Sequence, residues 1–151
     1  KLQGEPIGKE VVVVNTASVR NVDDPSREPF LEGAEFSILE GEALGNAELV
    51  VPAGKLAVIE TVSGQFTLPV GQAMTGLLVT TSSTSLGGNG TSAANYFIPV
   101  QTNIAGGGWT VHQQTRLYAA PGSTIAIQMQ RSVTTGGGSG SVRIVGHLVN
   151  P

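Results

Sequence analysis

The sequence contains no cysteine and, beyond Glu60, no carboxylate side chain. The first absence removes disulfide frameworks, thiolate metal sites and cysteine nucleophiles. The second bears on carboxylate chemistry. All eleven acids (Glu5, Glu10, Asp23, Asp24, Glu28, Glu32, Glu35, Glu40, Glu42, Glu48 and Glu60) precede Thr61, so a paired-carboxylate glycosidase would have to draw both groups from that first stretch. Charged residues are also scarce, at 13% against about 25% in an ordinary globular domain. The net charge of −3 is not the basic balance of a nucleic-acid binder. No apolar run approaches the length that crosses a bilayer as a helix, so no membrane insertion is expected. Only two aspartates exist and they are adjacent, so no EF-hand loop can be written.

Strand signals dominate what is present. At 151 residues the chain fits one domain with a core of its own. Candidate strands run Glu10–Thr16, Pro29–Leu39, Ala47–Val51, Lys55–Leu68, Ala73–Ser82, Ala93–Gln101, Trp109–Ala119, Ser123–Arg131 and Gly140–Asn150. Turn chemistry separates several of them: Pro52-Ala53-Gly54, Pro69-Val70-Gly71 and Pro121-Gly122. Ile125, Ile127 and Met129 alternate with Thr124, Ala126, Gln128 and Gln130, the pattern of a half-buried strand. The one helix-like stretch, Leu31–Leu49, is broken by Gly33, Gly41 and Gly45, each costing about 1 kcal/mol in a helix interior. Short strands at close spacing without helices predict an antiparallel β-sandwich, of jelly-roll type, over residues 1–151.

Four consecutive valines, Val11, Val12, Val13 and Val14, make a strand that wants cover on both faces. It belongs either to its own sandwich or, as part of an arm over residues 1–18, to the open sheet edge of a neighbouring copy. The charge asymmetry also points to self-assembly. Five of the eight Lys and Arg stand among the eleven acids of the first 60 residues, and the remainder of the chain carries only Arg116, Arg131 and Arg143. An acidic surface of one copy can then meet a carboxylate-free surface of another.

Motifs for chemistry are weak. No G-x-S-x-G elbow accompanies the two histidines, and Ser139 sits in a glycine-rich hairpin. His112 and His147 lie on different strands with no acid nearby in sequence, so no metal and no cofactor is expected. Asn21, Asp23, Asp24 and Glu28 fit either a turn or a calcium loop, with the turn preferred. The glycine-rich loops precede no helix and so cradle no phosphate. A ligand surface is the better candidate. His112, Gln114, Arg116 and Tyr118 share one strand face; Trp109 follows three glycines at a loop edge; Tyr96 is expected to face away from a core-directed Phe97. Exposed aromatics beside polar groups would suit a glycan.

The stretch Val11–Phe30, VVVVNTASVRNVDDPSREPF, is followed by Val51-Pro52-Ala53-Gly54-Lys55, Val58-Ile59-Glu60, Gln113-Gln114-Thr115-Arg116-Leu117-Tyr118-Ala119, Pro121-Gly122 and Gly146-His147-Leu148-Val149. Together these resemble uncharacterised exported bacterial β-sandwich proteins that carry a VVNT…VRDVDNPARQPF-like motif. The resemblance implies bacterial export and an all-β head, and assigns no reaction. A chain opening on Lys1 agrees with a removed export signal. The expectation is a non-enzymatic extracellular structural subunit that self-associates as a surface, fibre or filament component; the competing expectation is a carbohydrate-binding, lectin-like module. With no cysteine and only two histidines, chelation by EDTA should leave the melting temperature unchanged. A large drop would reveal a structural metal.

Overall fold

The computed structural model describes residues 27–84, 91–102 and 107–151. The valine run Val11–Val14, the arm over 1–18 and the Asn21, Asp23 and Asp24 turn therefore lie outside the described residues. The strands are β1 (Glu28–Ile38), β2 (Leu44–Val50), β3 (Leu56–Thr67), β4 (Met74–Thr84), β5 (Thr91–Ile98), β6 (Gln101–Thr102), β7 (Gly108–Ala119), β8 (Thr124–Arg131) and β9 (Gly138–Val149). Most sequence-predicted boundaries hold within a few residues. The exception is Ala93–Gln101, which divides at Pro99 into β5 and the two-residue β6. Proline has no N–H to offer a ladder at that point.

The strands form two antiparallel sheets, ordered β1-β9-β3-β7-β6 and β2-β8-β4-β5. Setting β6 aside, this is the interleaved eight-strand winding of a jelly roll. Each strand turns alternate side chains inward. Ile59, Val62, Leu77, Val79, Ile125, Ile127, Met129, Val142 and Ile144 are all buried between the sheets, each such side chain contributing about 1.5–3 kcal/mol relative to exposure. Phe36 and Phe66 meet at 5.8 Å between ring centroids, above Gly140, where a Cβ would run into the Phe66 ring. The connections behave as their residues require. Gly122 adopts φ 68° and Ser123 N–H donates to the Ala120 carbonyl at 3.1 Å, with Pro121 and Gly122 at the central positions of a type II turn.

One end of the sandwich is organised by a buried charge. Arg131 is 4% exposed and continues the inward alternation of Ile125, Ile127 and Met129. Its Nε donates to the Glu42 carbonyl at 2.9 Å. One terminal nitrogen donates to the Gly136 carbonyl at 2.8 Å and to Gln72 Oε1 at 3.2 Å. The other donates to the carbonyls of Leu39 at 2.9 Å and Thr134 at 3.0 Å. The guanidinium thus ties together the β1–β2, β3–β4 and β8–β9 connections. Gln72 adds a second link, its amide donating to the Thr135 carbonyl.

Two substitutions test this packing. Arg131→Ala removes the donor to four part-buried carbonyls, each costing about 1–3 kcal/mol if left unpaired. We expect a loss of at least about 3 kcal/mol in denaturant unfolding; a loss below 1 kcal/mol would show that water replaces the side chain. Thr81 is fully buried and its hydroxyl has no partner among the described residues. Thr81→Val keeps the shape and removes the hydroxyl, so stability should rise by about 1 kcal/mol. A decrease would mean that the hydroxyl is paired.

Candidate functional site

The outer face of the five-stranded sheet carries the polar face expected from the sequence. On β7 His112, Gln114, Arg116 and Tyr118 are exposed, while Val111, Leu117 and Ala119 are buried. Tyr118 stands across from Val58 on β3, which stands across from His147 on β9. Glu60 follows Val58 outward by strand alternation, its Oε1 lying 3.5 Å from His147 Nδ1, and the β3 ladder shifts register there, at a bulge between Ile59 and Thr61. The same bulge explains Gly146 on the inner face of β9, where a Cβ would run into the Val58 carbonyl oxygen. Arg27, Val58, Glu60, Arg116, Tyr118 and His147 line a shallow cleft of about 230 Å³. Its two guanidinium groups, imidazole and phenol can hydrogen-bond an anion, opposed by the Glu60 carboxylate in the same lining.

Two aromatic positions differ from expectation. Trp109 is half-buried and packs on the core; it stands opposite Phe66 and shares the inward parity of Val111. Following three glycines did not expose it. Tyr96 also packs against the core, opposite fully buried Val79, whereas Phe97 is 77% exposed. The assignment of Tyr96 and Phe97 to their faces is therefore reversed. The signal was available: Phe97 shares its parity with polar Asn95, and Tyr96 shares its parity with Ile98.

The histidines are not brought together. His112 faces Ser63 and His147 faces Val58, five positions apart along β3, roughly 16 Å. Among the described residues no three His, Asp or Glu side chains are grouped for a metal ion.

Charge is segregated between the two long sides of the sandwich. β1 and β2 are edge strands of the two sheets and lie on the same side. Glu28, Glu32, Glu35 and Glu48 are on these strands, and Glu40 and Glu42 are in the connection between them. The opposite side is built from β5, β6 and β7, whose residues include no carboxylate and do include His112 and Arg116. On that side β6 pairs with β7 only through Gln101 with Thr110 and Thr102 with Trp109. From Val111 to Ala119 the outer edge of β7 has no strand partner among the described residues. The Gln113 amide instead donates to the Gln114 carbonyl at 2.7 Å.

The strand order and the inward alternation define the chain as a jelly-roll β-sandwich. No protein-family model matches it, and no curated protein sequence does. Among solved structures, a cryo-EM structure of Mud crab tombus-like virus is similar over 89% of this chain and 96% of that chain, at 10% identity and a TM-score of 0.29. That loose likeness adds nothing to the topology read from the strands.

Proposed function

We propose that the protein is a non-enzymatic, extracellular structural subunit that assembles side by side, the acidic β1 side of one copy meeting the carboxylate-free β7 side of the next. The observation that carries this reading is the placement of opposite charge character on opposite sides, with an open strand edge at one of them. Bare edges are templates for pairing. Within the sheet, strand direction alternates from β1 through β9 and β3 to β7. A neighbour's β1 added beside β7 by translation continues the same antiparallel alternation. Such a contact joins two different surfaces, so it leaves a fresh edge at each end and grows as a filament. Export follows from the sequence resemblance.

Sedimentation velocity tests the charge contribution. We expect concentration-dependent association that weakens several-fold when NaCl rises from about 0.05 to about 0.5 M. A Glu32→Lys/Glu35→Lys chain should remain monomeric alone, and so should an Arg116→Glu chain. Mixed, the two should co-assemble, because each reversed side then meets a complementary one. A wild-type chain that stays monomeric at high concentration, or variants that associate as wild type does, would overturn the proposal.

A further inference from the structure

The outer face of the four-stranded sheet runs from β2 to β5 and carries mostly neutral side chains. Asn46 faces Gln128, Gln128 faces Leu78, and Leu78 faces Phe97, so these four side chains form one row across β2, β8, β4 and β5. The row spans three strand spacings, roughly 14 Å, room for about three pyranose rings. Phe97, 77% exposed, stands at one end of the row on an edge strand. Gln128 Nε2 donates to Asn46 Oδ1 at 3.0 Å. In the next row Thr80 Oγ1 donates to Asn95 Oδ1 at 2.8 Å. These bonds occupy the two asparagine carbonyls and fix the amide planes. The NH2 groups of Asn46 and Asn95 remain as donors.

We propose that this face binds a neutral glycan chain, one sugar stacked on Phe97 and the following units hydrogen-bonded by the amides of Asn46, Asn95 and Gln128. An aromatic ring accepts the apolar face of a sugar, and pre-oriented amides match hydroxyls that both donate and accept. Glu48, in the row of Asn95, is the one ionisable side chain among the described outward residues of this face, and it disfavours acidic sugars. The chemistry of the row selects a glycan: its polar members are neutral amides suited to sugar hydroxyls, and Phe97 supplies an exposed ring for stacking.

The test is titration of the 15N-labelled protein with cellohexaose, xylohexaose, mannohexaose and laminarihexaose, read by amide chemical shifts, with hexagalacturonate as the acidic comparison. We expect at least one neutral hexasaccharide to shift the side-chain amide signals of Asn46, Asn95 and Gln128. Hexagalacturonate should leave them in place. Phe97→Ala should weaken that binding at least about tenfold, a hot-spot effect of about 1.4 kcal/mol, while Phe97→Trp keeps it. Three results overturn the proposal: no shift with any of the four sugars, binding undiminished in Phe97→Ala, or shifts confined to the Arg116, Tyr118 and His147 cleft. A Phe97→Ala chain that sediments as a smaller species, with no sugar bound by the wild type, would assign the face to a second copy instead.

Discussion

Arg131 holds its guanidinium among backbone carbonyls from two connections and the Gln72 side chain of a third, at one end of a sandwich whose core is otherwise mostly apolar. Its hydrogen-bond partners are four carbonyls at 2.8–3.0 Å, the Thr135 carbonyl at 3.5 Å and the Gln72 amide oxygen, and no carboxylate is among them. A buried cation is tolerable when its donors are satisfied, and buried carbonyls are tolerable when something donates to them. Each group here answers the other's need. With the β1–β2, β3–β4 and β8–β9 turns fastened to one side chain, the strands leaving them are held in register. A slip of one residue would turn every side chain to the opposite face, so the separation of core from surface depends on this end being fixed.

The winding then converts a sequence asymmetry into a spatial one. In this jelly roll β1 and β2 are the edges of their two sheets and lie together on one side, while β5, β6 and β7 form the other. Glu28, Glu32, Glu35, Glu40, Glu42 and Glu48 consequently gather along one side. The opposite side inherits a carboxylate-free stretch and an edge that the two-residue β6 covers only at its start. Edge strands are commonly guarded by charge; here the β1 side carries the guard and the β7 side has little of it.

Much of this was legible from alternation and turn chemistry. Period-2 patterning located the strands and the His112–Tyr118 face, and proline with glycine marked the turns. Arg131 was legible too, since it keeps the parity of Ile125, Ile127 and Met129, but an arginine at a strand end is ordinarily a surface residue and parity alone does not show a cage of carbonyls. Tyr96 and Phe97 failed because two adjacent aromatics offer no hydropathy contrast; only their neighbours Asn95 and Ile98 break the tie. Trp109 failed because the glycines before it speak about the loop and say nothing of the inner face. The outward face of Glu60 follows from alternation with Ile59, whereas its nearness to His147 needs the register of β3 against β9, which nothing in the residues around Glu60 announces.

Because the chain has no cysteine, side-by-side assembly can be tested by disulfide trapping with no background. Leu31 on β1 and Gln114 on β7 are both exposed and are placed in the same row of the five-stranded sheet through Val145 and Thr61. In a translated array, Leu31 of one copy comes beside Gln114 of the next. The decisive measurement is non-reducing electrophoresis of a Leu31→Cys/Gln114→Cys chain after mild oxidation, with each single variant alongside. A ladder of covalent oligomers from the double variant, with the single variants remaining monomers, is the result we expect. Equal dimer formation by the Leu31→Cys chain alone, or no covalent oligomer from the double variant, would contradict it.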